Sequence, residues 1–178
     1  GVSVGTDGNI YITGSFNTAM TVNILGNLAL LSSGQSDLFV ACYAPTGSLQ
    51  WVKTGGGVGD DIGYGIAVNS TGVFVQGTYK GGAAFGASTT PAGLNNGHVQ
   101  AVLLKYSLTG NLLWRIDGTR TNKDQNAERI ACDELGVYLT GTFGTNQMRW
   151  YNGGTLLTTI NATGDPNIYV CAVHNDGT

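Results

Sequence analysis

The chain has 178 residues, 42% of them hydrophobic, enough to fill an ordinary core and inconsistent with disorder. Only 11% are charged, against about 25% in typical domains, and 8 basic and 11 acidic residues give a net charge of -3 without a basic run. Nothing here would release phosphate counterions, so nucleic acid is a poor partner, and no stretch reaches the roughly 20 apolar residues of a membrane span, so no direct membrane insertion is expected of this segment.

In chain order, a first strand signal at Val2 to Val4 is followed by the turn Thr6-Asp7-Gly8-Asn9 and the alternating run GNIYITGSF (8–16). An insert from Asn17 to Ser36 precedes a third strand from Asp37, the turn Pro45-Thr46-Gly47 and a fourth strand carrying Trp51. The series then restarts with GYGIAVN (63–69), GVFVQGTY (72–79), an insert from Lys80 to His98, VQAVLLKYS (99–107) and NLLWRIDG (111–118). A third pass gives Ile130 to Cys132, GVYLTGTF (136–143), an insert from Gly144 to Asn167, a strand around Tyr169-Val170 and the turn Asn175-Asp176-Gly177.

Gly14, Gly77 and Gly141 mark the second strands, and Tyr43, Gly47 and Trp51 return as Tyr106, Gly110 and Trp114. Two landmarks keeping one period of about 63 residues identify a duplicated unit that buries its face against the next copy. In the second strand Val73, Val75 and Gly77 share one face and Phe74, Gln76 and Thr78 the other. The third strand is apolar on both phases from Ala101 to Leu104, as a strand between two sheets would be. No helical period is sustained, so each copy is expected to be a four-stranded antiparallel meander. The inserts are expected to form small extra hairpins that lengthen the repeat.

Chemistry is sparse. The three cysteines lack metal spacing; Cys132 and Cys171 fall at core positions of the repeat and Cys42 at a more exposed phase. His98 and His174 have no ligand companions at i+2 or i+4, and Asp60-Asp61, the one adjacent carboxylate pair, could assist a cation but reads first as a solvated turn between copies. Turns such as Asp7-Gly8-Asn9, Asn175-Asp176-Gly177 and Gly164-Asp165-Pro166-Asn167 invite calcium but match no calcium loop, so no cofactor is expected. The sequons at Asn69 and Asn161 are weak signals, and Trp51 and Trp114, recurring with the period, read as packing. Arg149, Trp150 and Tyr151 have no counterpart in the other copies and form the candidate ligand-binding group.

The YITG-type second strands, the Asp37-Leu38-Phe39-Val40-Ala41 third strand and the G-x-L-x-W fourth strands (Gly47 to Trp51, Gly110 to Trp114) resemble the bacterial SBBP-type β-propeller repeat family over nearly the whole chain. The resemblance implies an all-β fold, a β-propeller segment with two full blades, 1–61 and 62–125, and a partial third, 126–178, all parts of one larger propeller domain. It places the first strands along the central axis and the Trp strands at the rim. Ring closure then requires flanking blades or a second chain. Departures are Cys42 and Ala172 where the family has Lys, as Lys105 does, and Asn167 in place of a leading Asp.

Family members belong to secreted and cell-surface proteins, many exported by the type IX route. The expected function is therefore a non-enzymatic, extracellular platform on a bacterial surface that meets a protein or glycan partner. A neutral-glycan lectin is one alternative. Another is part of a hydrolase or lyase whose catalytic groups lie elsewhere, since only Asp133 and Glu134 approach the axis.

Overall fold

A computed structural model of the chain describes residues 1–22, 28–90, 97–119, 123–144, 147–164 and 166–178. The Asn23-Ile24-Leu25 piece of the first insert and Asp165 lie outside the described residues. All secondary structure among the described residues is strand, arranged in three antiparallel sheets.

The first sheet is built on β1 (Val2–Val4), β2 (Ile10–Val22), β3 (Leu28–Tyr43) and β4 (Leu49–Gly57). The second is built on β5 (Ile62–Asn69) and β6 (Gly72–Lys80), then, after the short insert strands β7 (Ala83–Phe85) and β8 (Ser88–Thr89), on β9 (Val99–Tyr106) and β10 (Leu112–Thr119). The third contains β11 (Gln125–Cys132), β12 (Gly136–Phe143) and β15 (Asn167–His174), with β13 (Gln147–Asn152) and β14 (Thr155–Asn161) between them in sequence. In all three, neighbours in sequence pair through tight turns. Gly47, Gly110 and Gly177 close the equivalent turns at φ 84°, 84° and 87°, conformations that only glycine adopts without strain.

The sheets stack face to face. Tyr11, Leu38, Val40 and Cys42 of the first sheet pack on Ile66, Val75 and Leu104 of the second. The opposite face of the second presents Phe74, Ala101 and Leu103 to Val137, Leu139 and Tyr169 of the third. The middle sheet is thus covered on both sides, and β6 is buried from Gly72 to Tyr79 on both phases. First strands lie side by side, β1 on β5 and β5 on β11. Each repeated tryptophan closes a seam: Trp51 Nε1 donates to the Leu108 carbonyl of the next turn at 2.9 Å, and Trp114 Nε1 to that of Asn175 at 3.1 Å. Their recurrence at the repeat period has this cause.

Cys42 corrects its expected exposure. It is 1% exposed because its phase points into the first seam, whereas Cys132 and Cys171 are half-buried; all three are free thiols. Asn69 is likewise buried, its Nδ2 donating to the Asp133 carbonyl at 2.6 Å, which removes that sequon from solvent.

The inserts do more than lengthen the repeat. In the second and third copies they form hairpins that pair with the outer strand of the preceding sheet, β7 with β4 and β13 with β10. In the first copy the insert simply prolongs β2 and β3, past a bulge between Asn17 and Ala19 where Thr18 takes φ 62°. Sequence boundaries between copies therefore differ from hydrogen-bonding boundaries.

Candidate interaction surface

Arg149, Trp150 and Tyr151 do not share a surface. They are consecutive on β13, so the period of two sends Trp150 to one face and its neighbours to the other. Trp150 is 3% exposed and meets the Tyr169 ring edge-on, with centroids 5.4 Å apart. This aromatic is a core residue that seats the third insert over the seam, while Arg149 is exposed and Tyr151 half-buried.

A polar site that the sequence did not single out lies one strand away. Arg115 and Asp117 alternate on β10 and form a buried ion pair, with Arg115 Nη2 2.7 Å from Asp117 Oδ1. Arg115 Nη1 donates to the Ala83 carbonyl at 2.9 Å and Nη2 to Thr90 Oγ1 at 3.1 Å, so the guanidinium holds both ends of the β7–β8 hairpin in the second insert. Its plane lies between the Tyr79 and Phe85 rings, 4.9 and 5.0 Å from their centroids. Burial pushes the Asp117 carboxyl above the ordinary carboxylate range, and the adjacent guanidinium opposes that rise. The available signal was internal: Val52 and Thr54 stand at these positions in the first copy, so a charged pair in an otherwise neutral strand marks the second.

Above this pair runs a rim groove of about 630 Å³, lined by Ser88, Thr89, Trp114, Arg115, Asp117 and Asn152. Its walls come from two insert hairpins and its floor from β10. Leu156 and Leu157 on β14, the outermost strand of the same sheet, are 49% and 37% exposed.

The outer face of the third sheet is apolar and open. Tyr138, Ile168 and Val170 are 42%, 77% and 75% exposed, yet they occupy the repeat positions of Phe74, Ala101 and Leu103, which are fully buried by the neighbouring sheet. Among the described residues β15 pairs only with β12, which leaves its second edge unpaired. A bare face beside a free edge is suited to receive another sheet.

The remaining polar groups serve the seams. Lys105 Nζ donates to Thr71 Oγ1 at 2.8 Å and to the Asn175 carbonyl at 2.7 Å. Asp133 caps its own turn by accepting the Leu135 and Gly136 amides, which hold its carboxyl below the usual range, and Glu134 bonds Ser70 of the second copy. His98 Nδ1 lies 3.5 Å from Asp124 Oδ1. Of the Asp60-Asp61 pair only Asp60 is solvated; Asp61 is fully buried between the first two sheets, which corrects the reading of both as a solvated turn. Among the described residues no three His, Cys, Asp or Glu side chains come together.

No family model matches the chain. It is 27% identical over 164 residues, 85% of its length, to an uncharacterized WD repeat-containing protein of Acanthamoeba polyphaga mimivirus, and it spans 12% of that relative. WD repeats build four-stranded propeller blades of about 40 to 45 residues, and the rim inserts account for the longer period here. The likeness is thus to a propeller-type repeat protein and carries no bacterial, secreted or type IX feature.

Proposed function

We propose that the chain is a propeller segment acting as a rigid, non-enzymatic interaction platform, with its inserts as the partner-facing element. The observation that carries this reading is the edge pairing of the inserts. Each of the two docked hairpins extends a preceding sheet to six strands, so variable residues are displayed on a fixed backbone and bind without a large ordering cost. Likeness to a WD repeat protein supports a protein partner over a reaction. Further blades of the same repeat are the natural cover for Tyr138, Ile168 and Val170. Placement at a bacterial cell surface follows only from the SBBP-like strand motifs.

A neutral-glycan module is the second reading. The groove above Arg115 and Asp117 favours it, since an indole edge beside the hydroxyls of Ser88 and Thr89 and the amide of Asn152 suits a sugar. Two measurements separate the readings. Cross-linking on intact cells of the source organism, with wild type and the L156S/L157S variant, should give a defined protein adduct that the variant loses while keeping its circular dichroism. A glycan array giving saturable binding that S88A/T89A abolishes would favour the lectin, and neither signal would sink both.

A further inference from the structure

Two buried carboxylates lie against each other where the chain crosses from the first sheet to the second. Asp37 begins the inner part of β3 and is 2% exposed; Asp61 immediately precedes β5 and is fully buried. Asp37 Oδ2 accepts the Ser33 amide at 2.7 Å, and Asp61 accepts the Gly57 amide at 2.7 Å on Oδ2 and the Lys80 amide at 3.3 Å on Oδ1. Asp37 Oδ1 is buried with no hydrogen-bond partner. Its direction is fixed by Gly56: a Cβ there would stand 2.7 Å from Asp61 Oδ2 and closer still to Asp37 Oδ1. The two oxygens therefore lie within about 5 Å of each other across a cradle that only glycine leaves open, a range in which like charges repel strongly when buried. Among the described residues no salt bridge reaches either carboxylate.

The equivalent crossover from the second sheet to the third is an internal control. Register alignment puts Gln100 at the position of Asp37, opposite Tyr79 as Asp37 is opposite Phe16, and Gln125 at the position of Asp61. These side chains are equally buried but neutral. Tyr79 donates its hydroxyl to Gln100 Oε1 at 2.6 Å, and the Ala101 amide donates to Gln125 Oε1 at 3.0 Å. The carboxylate positions of the first crossover are thus filled by hydrogen-bonded amides in the next, so burial at these points does not by itself call for a pair of acidic groups.

We propose that Asp37 and Asp61 bind a divalent, oxygen-liganding cation of the calcium type where the chain crosses from the first sheet to the second. The two carboxylates supply the charge, and an ion of this class completes its shell with further oxygen donors such as water. Exposed Asp60 marks where the seam opens to solvent.

Calorimetric titration of the chelator-treated 178-residue chain with CaCl2, and with MgCl2 in parallel, tests this at mildly alkaline pH. The expected result is one equivalent bound, with a melting temperature that rises with calcium. D61N should weaken binding at least tenfold. D37Q/D61Q, which copies the equivalent positions Gln100 and Gln125, should fold and melt without regard to calcium, so misfolding of one variant does not decide the matter. A wild-type protein whose melting ignores both cations overturns the proposal. So does a stability that responds only to pH, which would mean that the pair is held by a shared proton.

Discussion

Replacing Arg115 by alanine tests how the second insert is held. The substitution removes the 2.7 Å contact to Asp117, the bonds to the Ala83 carbonyl and Thr90 hydroxyl, and the cation between Tyr79 and Phe85. Asp117 is 1% exposed, so its carboxylate is left buried without a counter-charge. Breaking a buried pair in this way costs about 3–5 kcal/mol, most of it the stranded charge. The double variant R115V/D117T places the first copy's Val52 and Thr54 on β10 and strands nothing. Urea denaturation should therefore rank wild type above the double variant and the double variant above R115A, with at least about 1 kcal/mol between the last two. Limited proteolysis should open the insert at residues 83–90 in both variants, because both lose the bonds that hold its ends. An R115A protein within about 1 kcal/mol of wild type would refute the reasoning, as would a double variant no better than the single.

Three further outcomes follow from the same geometry. G77A and G141A should each cost about 1–3 kcal/mol in denaturation, since the added methyl meets the Ile62 carbonyl in one and the Asn126 carbonyl and Tyr169 hydroxyl in the other; G14A, facing only the Phe39 ring edge at 3.0 Å, should cost less. In chelator, stability should fall as pH rises from about 4 to 7 and level off above, because folded Asp61 keeps its proton up to about 7 while the unfolded side chain releases it near 3.8; Asp37 and Asp60 are the charged groups facing it, and D61N should flatten the slope. Trp150→Ala should cost about 3–5 kcal/mol by calorimetry, as an indole buried against Tyr169 and Met148 would. A loss under about 1 kcal/mol would return Trp150 to the surface.

The two amide positions of the second seam bear on how the stack evolved its register. Gln125 reaches across to the backbone of β9 and Gln76 Nε2 donates to the Thr140 carbonyl of β12 at 2.7 Å. Buried polar side chains at these points penalise any slip between sheets, because a shift would leave them unpaired. The seams are thus specified by few hydrogen bonds within a large apolar contact.

The sequence by itself determined the strands, their turns and the duplication. Alternation in GVFVQGTY assigns two faces to β6, glycine at Gly47 and Gly110 sets the turns, and a repeated Tyr-Gly-Trp spacing requires repeated packing. These are local properties, since backbone geometry fixes the period of two and the need for positive φ. It also exposed Trp150 as singular but could not say which face of β13 meets the core; that depends on β13 pairing with β10, a contact distant in sequence. The same gap hid Arg115 and Asp117, whose partners lie in an insert about thirty residues upstream, and it made Cys42 and Asp61 look exposed. Only the stacking of three sheets decided those burials, because burial is set by what covers a residue and not by the residue's own strand.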